Sequence, residues 1–211
     1  DPLIGYFSDN THTRWGRRHP YMYIAAIPVA LSYFFVWNPP SGVSGNDLFP
    51  YILMMAIFVR TMITLYEIPN SALVAEITDD YDERTSILSY RYFFGWAGGT
   101  LMGFYALTYL LVPTTEISNG LFNIAGYGKM GLASSIVIFT AIMTSAMGTH
   151  SFIPKLKTPP PKTKMSITRI YREIFETLWN RSFGALFAAA LFGAIGTGIA
   201  TGLSHYINSF F

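Results

Sequence analysis

Residues 50–76 read PYILMMAIFVRTMITLYEIPNSALVAE, an apolar run that is long enough to cross a bilayer. A helix rises 1.5 Å per residue, so roughly 20 residues span the hydrocarbon core. The interior of this run carries two charged side chains, Arg60 and Glu67. A charge inside a membrane span is costly and calls for a partner or a functional role. The stretch therefore predicts a membrane helix that contains a polar site.

Further apolar runs of similar length flank this helix, near residues 20–38, 91–112, 125–149 and 183–211, and the tail of another helix occupies residues 1–8. Hydrophobic residues make up 51% of the chain and charged residues 12%, about half of the share that soluble domains carry. We therefore predict an all-α integral membrane protein with five spans and a stub. The chain lacks an initiator Met and stops inside an apolar run, so we interpret it as a fragment.

The basic residues are concentrated on alternate connections between the predicted spans. Twelve of the fourteen Lys and Arg residues lie on the first, third and fifth connections, and the other two are Arg60 and Lys129. The positive-inside rule places those three connections in the cytoplasm. We therefore expect Lys155 and Arg169 to face the cytoplasm, and Asp47 and Glu116 to face outward.

The connection over residues 151–182 has two parts. A basic, proline-rich stretch runs from Lys155 to Lys164 and predicts an extended linker. Apolar residues then recur at helical spacing from Ser166 to Leu178, with charged residues between them. This pattern predicts an amphipathic helix that lies along the inner membrane surface or under the bundle.

The span over residues 50–76 has one polar face. Arg60, Thr64, Glu67 and Ser71 follow one another at spacings of 4, 3 and 4, which puts them on one side of a helix. Pro69 would free the carbonyl one turn earlier, as in helices that line a substrate path. Helical rise puts Glu67 roughly 18 Å inside the membrane and Asp1, on the first helix, roughly 12 Å inside. The alternative is an internal Arg60–Glu67 salt bridge that serves helix packing alone.

Other features favour structural roles. Gly95, Gly99 and Gly103 form a stripe that predicts close approach of another helix, and the glycines of residues 193–202 predict the same. We expect His12 and His19 to be solvated in a basic loop. The chain has no Cys and contains no HExxH, GxSxG or Walker A pattern, so we expect neither an enzyme nor a metal centre. The basic loops lack the context of a nucleic-acid site.

Two blocks of sequence resemble a known family. The first runs from Asp1-Pro2 through Gly5 and Asp9 to Arg14-Trp15-Gly16-Arg17-Arg18-His19-Pro20, and the second from Glu67-Ile68-Pro69 through Glu76 and residues 80–85 to Arg91. Both are similar to the glycoside-pentoside-hexuronide:cation symporters of the major facilitator superfamily. The resemblance covers helices 2 to 7 of an expected twelve. It implies that residues 1–150 are most of the N-terminal six-helix bundle, 151–182 an interdomain linker and 183–211 the first helix of the C-terminal bundle.

The resemblance also implies roles for single residues. Asp1, Thr64 and Glu67 fall where the family binds its coupling cation, and Glu67, Arg91 and Arg60 where it binds sugar. Five residues match the loop that locks the two bundles on the cytoplasmic side: Asp9, Arg14, Arg17, Arg18 and Arg84. The family's sugar-stacking Trp aligns with Ser71. The coupling ion stays open between Na⁺ and H⁺, because burial can load a carboxylate with a proton whereas Na⁺ needs several oxygens.

The resemblance therefore implies a multi-pass protein of the cell membrane, and of the inner membrane in a bacterium, that transports a sugar or glycoside together with a monovalent cation by alternating access and uses no cofactor. Two alternatives stay open. One is a facilitator of the same superfamily that is uncoupled or carries a non-sugar solute. The other is a membrane sensor that has kept the scaffold but does not transport.

Overall fold

In the computed structural model the described residues are 2–115, 117–156, 172 and 180–210. They form six long helices: α1 (Pro2–Asp9), α2 (His19–Trp37), α3 (Leu48–Ile77), α4 (Tyr81–Tyr105), α5 (Ile124–His150) and α6 (Arg181–Phe210). Short 3₁₀ turns cover Gly45–Asp47, Gly120–Phe122 and Ile153–Lys155, and a π-helical turn, Ala106–Leu110, extends α4. The described part of the chain contains no strand. The predicted all-α fold is confirmed.

Within the described residues, four helical segments are long and apolar enough to cross a membrane: His19–Trp37, Gly45–Ile77, Ile124–His150 and Arg181–Ser204. The fifth predicted span, 91–112, lies in α4 and its π-helical extension, where Tyr, Trp and Gly keep the hydropathy low. α4 also begins ten residues before that predicted span. Asp80 explains the early start, because its carboxylate accepts a hydrogen bond from the Glu83 N–H at 2.9 Å and caps the helix.

The structure divides into two compact units, Asp1–Pro161 and Lys162–Phe211. Helices α1 to α5 belong to the first unit and α6 to the second. The amphipathic helix predicted from Ser166 to Leu178 lies outside the described residues. The proposed boundaries of bundle and linker stay a prediction.

Helix α2 is the centre of the first unit and packs against both α3 and α5. Its alanines, Ala25 and Ala26, are fully buried and allow the neighbouring backbones to come close. Ile142 of α5 completes this core, and a second cluster joins Met22 of α2 to Leu73 of α3 and to α5. The small residues of α2 thus set how tightly three helices assemble.

One end of the α2–α5 contact is fixed by a hydrogen bond from an amide side chain and by two stacked rings. Asn38 donates a hydrogen bond to the Gly128 carbonyl at 3.2 Å, and Trp37 stacks on Tyr127 with ring centroids 5.4 Å apart. Gly131 faces Trp37 so closely that a Cβ there would lie 2.5 Å from the Trp37 Cβ. Only glycine fits at this crossing.

The other end of the same contact corrects one expectation. His19, expected to be solvated, is fully buried at the start of α2, and its Nε2 lies 3.1 Å from the Thr149 hydroxyl of α5. Tyr23 donates a hydrogen bond from its hydroxyl to the Ala146 carbonyl at 3.2 Å and lies 3.0 Å from His150 Nδ1. His12 is exposed, as expected. Helices α2 and α5 are therefore joined at both ends.

The glycine stripe of α4 has no helix against it in the described part of the chain. A Cβ built on Gly95, Gly99 or Gly103 would meet nothing within 4 Å, and the same holds for Gly193, Gly196, Gly198 and Gly202 of α6. The predicted close approach is thus absent among the described residues, because α4 contacts α3 only sparsely and leaves this face open.

Candidate functional site

The polar face of α3 contains an ion pair that is open on one side. Arg60 Nη1 lies 3.4 Å from Glu67 Oε2, and the two side chains are 69% and 46% exposed within the described structure. Both residues belong to α3, so the pair does not connect helices. The cation-site reading and the reading in which the pair serves helix packing alone both stay predictions. One carboxylate oxygen of Glu67, Oε1, makes no hydrogen bond to any described residue.

Thr64 does not share the open face with its predicted companions. It is only 5% exposed, and its hydroxyl donates a hydrogen bond to the Arg60 carbonyl at 2.8 Å. The spacing of 4, 3 and 4 therefore puts Thr64 at a covered edge of the polar face, whereas Arg60 and Glu67 stay open. Its oxygen retains a lone pair that could accept a further contact. Pro69 is also buried and lies within the helix.

Helix α4 reaches the same face through Arg91. The Arg91 guanidinium donates a hydrogen bond to the Ser71 hydroxyl at 2.9 Å, one turn after Glu67. Arg91 also lines an open groove of about 520 Å³ with Tyr92, Gly95, Trp96, Gly99 and Thr100. The Ser71 bond uses one of the five N–H groups of a guanidinium, so Arg91 has donors left for a ligand. Two glycines of the open stripe, Gly95 and Gly99, are thus part of this groove.

Helix α1 packs beside the polar face. A Cβ on Gly5 would lie 3.7 Å from the Ile68 side chain, next to Glu67 in the chain. Asp1, the predicted second carboxylate of the cation site, lies outside the described residues. The structure thus brings Arg60 to Glu67 and Arg91 to Ser71, with Thr64 at the edge. The described residues hold no cluster of three or more His, Asp or Glu that could bind a metal ion.

A second polar cluster lies where the loop after α1 folds back on the end of α3. Glu76 forms ion pairs with Arg17 and, at 2.5 Å, with Arg18, which also lies 3.1 Å from Asp9. The Arg18 and Glu76 side chains are 7% and 5% exposed. Burial lowers the pKa of the Arg18 guanidinium from its usual value, and the carboxylates of Glu76 and Asp9 oppose that effect. Opposite charges therefore compensate each other in a largely dry site.

The other two predicted members of the cytoplasmic loop cluster lie elsewhere. Arg84 donates a hydrogen bond to the Thr78 carbonyl at 3.0 Å and ties the start of α4 to the end of α3. Arg14 is exposed, lies over the Trp15 ring at 5.4 Å, and makes no ion pair with any described residue. The loop thus separates arginines that look equivalent in the sequence.

Glu76 is the residue that sequence reasoning overlooked. It stood in the second family block without an assigned role, since its position near the end of an apolar helix is ordinary for a charge. The charge pattern offered one signal. A loop with several arginines at one membrane surface is stabilised by a carboxylate at the same depth, and Glu76 lies near a helix end at that depth. Pairing it with Arg17 and Arg18 required knowledge of how the loop folds.

The chain matches the family described as MFS/sugar transport protein over residues 1–211. It is 33% identical over 153 residues to an uncharacterized symporter of Synechocystis, and the aligned segment covers 70% of this chain and 27% of that protein. It is 26% identical over 167 residues to an isoprimeverose transporter of Lactiplantibacillus pentosus, or 78% of this chain and 34% of that protein. It is also 34% identical over 92 residues to the sodium-dependent lysophosphatidylcholine symporter 1 of chicken, or 43% of this chain and 17% of that protein.

The described helices fit a multi-pass membrane protein, and the family match extends along the whole chain. The chain spans about a third or less of the length of the relatives named above. The resemblance carried by the blocks at Asp1–Pro20 and Glu67–Arg91 is therefore confirmed at the level of family. This chain belongs to the MFS/sugar transport family of the major facilitator superfamily.

Proposed function

We propose that the full-length protein is a secondary active transporter that moves a sugar or glycoside together with a monovalent cation. The observation that carries this proposal is the open polar face of α3, where a carboxylate and two guanidinium groups lie within an apolar helix pair. Charges in that setting are costly unless they bind a ligand or each other. At 3.4 Å, the Arg60–Glu67 pair is long for a charge-assisted hydrogen bond.

A cation would bind at Glu67 and weaken its attraction to Arg60. The carboxylate offers about four lone-pair sites, and Thr64 offers a hydroxyl oxygen one turn earlier. Asp1 is the second carboxylate that the family resemblance assigns to this site. A bound cation would offset the negative charge of Glu67, which lowers the cost of adding a neutral, polar solute beside it.

A sugar would then bind between Glu67 and Arg91. A carboxylate accepts hydrogen bonds from sugar hydroxyls and a guanidinium donates them, so the two groups can address neighbouring hydroxyls of one ring. Ser71 orients Arg91 by accepting its hydrogen bond. The cluster of Asp9, Arg17, Arg18 and Glu76 would close the cytoplasmic side in one state and open it in the other, as alternating access requires. Arg14 and Arg84 would support that loop from its edges.

A second candidate is a transporter of an amphiphile that carries a phosphate group. One finding favours it: the 34% identity to a sodium-dependent lysophosphatidylcholine symporter over 92 residues. The serine at position 71 removes the family's sugar-stacking aromatic ring, and Arg91 and Arg60 suit a phosphate. This candidate keeps the cation site and changes only the cargo.

Counterflow separates these functions. Proteoliposomes that contain the full-length protein are loaded with one solute from a panel of glycosides, pentoses and hexuronides, with and without Na⁺, and at two pH values. Exchange of a labelled sugar that depends on Na⁺ or on pH supports the proposal. Exchange of a lysophospholipid but of no sugar favours the second candidate, and exchange without any cation dependence contradicts symport.

A further inference from the structure

The exposed basic residues at the cytoplasmic end of the first unit lie on aromatic rings. Arg14 lies over the Trp15 ring at 5.4 Å, and Lys155 Nζ lies 5.8 Å from the Phe152 ring centre. Neither cation makes an ion pair with any described residue. In contrast, the other two arginines of the loop that carries Arg14 are in ion pairs. Arg17 pairs with Glu76, and Arg18 pairs with both Glu76 and Asp9. Arg14 of this loop and Lys155 of the turn after α5 are therefore two positive charges that are available to a ligand.

These two cations belong to one continuous surface. Gly16, in a left-handed conformation with φ of 74°, turns the loop so that a Cβ there would lie 3.5 Å from Ile153. The Thr13 hydroxyl accepts from the Trp15 N–H at 3.2 Å and donates to the Gly16 carbonyl at 2.6 Å, which fixes the turn. The loop is thereby held against the segment that carries Phe152 and Lys155.

Ring contacts complete the surface. Trp15 meets Tyr23 edge to face at 5.7 Å, and the Tyr23 hydroxyl lies 3.0 Å from His150 Nδ1. Trp15 is 41% exposed and His150 is exposed. We call this surface the basic-aromatic patch, and it consists of Arg14, Trp15, Tyr23, His150, Phe152 and Lys155. Helix α2 begins and α5 ends here, so the partial charges of the two helix ends oppose each other and the side chains set the sign.

We propose that the basic-aromatic patch binds the headgroup of an anionic phospholipid of the inner leaflet. Trp and Tyr side chains prefer the headgroup level of a bilayer, where an apolar ring and a polar edge are both satisfied. Lys and Arg at that level attract the negative surface of the cytoplasmic leaflet. The patch combines both features where α2 begins and α5 ends. This binding is independent of the transported solute.

The test is lipid binding by the full-length protein in detergent, measured by native mass spectrometry with phosphatidylglycerol and phosphatidylcholine of equal chain length. We expect a preference for phosphatidylglycerol that falls roughly fivefold for each charge removed in Arg14→Gln and Lys155→Gln, and more in the double variant. Raising the salt from 0.1 M to 1 M should shrink the preference, because the screening length falls from about 10 Å to 3 Å.

Matched variants keep the result specific. Lys129→Gln removes an exposed charge near the other end of α5 and should leave the preference unchanged. Arg14→Lys with Lys155→Arg keeps both charges and should also retain it. Wild-type preference in the Arg14→Gln/Lys155→Gln variant, or an equal loss in Lys129→Gln, would overturn the proposal. Retention on a polyglutamate matrix without any preference between the two lipids would also overturn it, in favour of an acidic protein segment.

Discussion

Glu76, next to the last residue of α3, holds the guanidinium of Arg18 at 2.5 Å and is almost completely buried. Arg17 donates to the same carboxylate oxygen. One acid thereby fixes the loop between α1 and α2 against the end of α3. The nitrogen atoms Arg18 Nε and Nη1 are buried without a partner among the described residues, so the cluster depends heavily on that single carboxylate.

Replacing Glu76 by Gln should therefore destabilise the full-length protein strongly. Removal of one partner from a buried ion pair costs about 3–5 kcal/mol, because the other charge stays desolvated. The melting temperature, followed by Trp fluorescence in detergent, should fall by several degrees. Asp9→Asn is the matched control, since Asp9 is 47% exposed and its loss should cost less than about 1 kcal/mol. Equal melting temperatures for the two variants would contradict the central position of Glu76.

Alanine substitutions at two glycines of α5 should change the free energy of unfolding in opposite directions. At Gly131 a Cβ would lie 2.5 Å from the Trp37 Cβ, and such overpacking costs about 1–3 kcal/mol. At Gly148 a Cβ meets nothing within 4 Å, so alanine should stabilise the helix by up to about 1 kcal/mol. Thermal unfolding of Gly131→Ala and Gly148→Ala measures both. A stabilised Gly131→Ala variant would show that α2 and α5 are not in close contact there.

Glu67→Gln should abolish cation-driven accumulation of the solute while the protein stays in the membrane. If Glu67 binds the cation, loss of its charge also weakens the effect of Na⁺ or of pH on solute binding, because the two ligands are linked reciprocally. Uptake by proteoliposomes with an imposed ion gradient measures the first effect and equilibrium binding the second.

The double variant Arg60→Gln/Glu67→Gln separates the cation site from a simple salt bridge. A structural pair, once both charges are removed, should regain function, because no unpaired charge is left in the membrane. A cation site should stay inactive. Full uphill transport by the double variant would defeat the proposed site, whereas normal yield without transport supports it.

The predicted topology can be read from two single cysteines in a cysteine-free full-length protein. Lys155→Cys should be protected from a membrane-impermeant maleimide in intact cells, and Asp47→Cys should be labelled, since the basic connections face the cytoplasm. Permeabilised cells provide the control, in which both positions should react. Labelling of position 155 but not of 47 in intact cells would reverse the orientation.

The helices of this fold were largely predictable, because each is a long apolar run with clear polar ends. The side on which each residue lies was less predictable. Spacing alone put Thr64 with Arg60 and Glu67, but Thr64 is buried whereas the other two side chains are open. Periodicity defines a face, and only the neighbouring helices determine which edge of it is covered.

Contacts between distant parts of the chain could not be predicted from the sequence. The sequence predicts that His19 is solvated, because it lies in a basic loop before Pro20. In the structure Thr149 and His150, about 130 residues later in the chain, contact and cover it. Arg14, Arg17 and Arg18 looked equivalent, but the turn at Gly16 directs two of them to Glu76 and one to Trp15. In both cases tertiary packing, which local pattern does not encode, made the distinction.

The double attachment of α2 to α5 has a practical consequence for spectroscopy. His19 meets Thr149 at one end and Asn38 meets Gly128 at the other, so probe distances between these two helices should stay constant through the proposed transport cycle. Spin labels on the exposed faces of α2 and α5 would therefore give a constant reference distance. Helix α4 makes few contacts with the rest of the first unit. Its displacements could then be measured relative to the fixed pair α2 and α5.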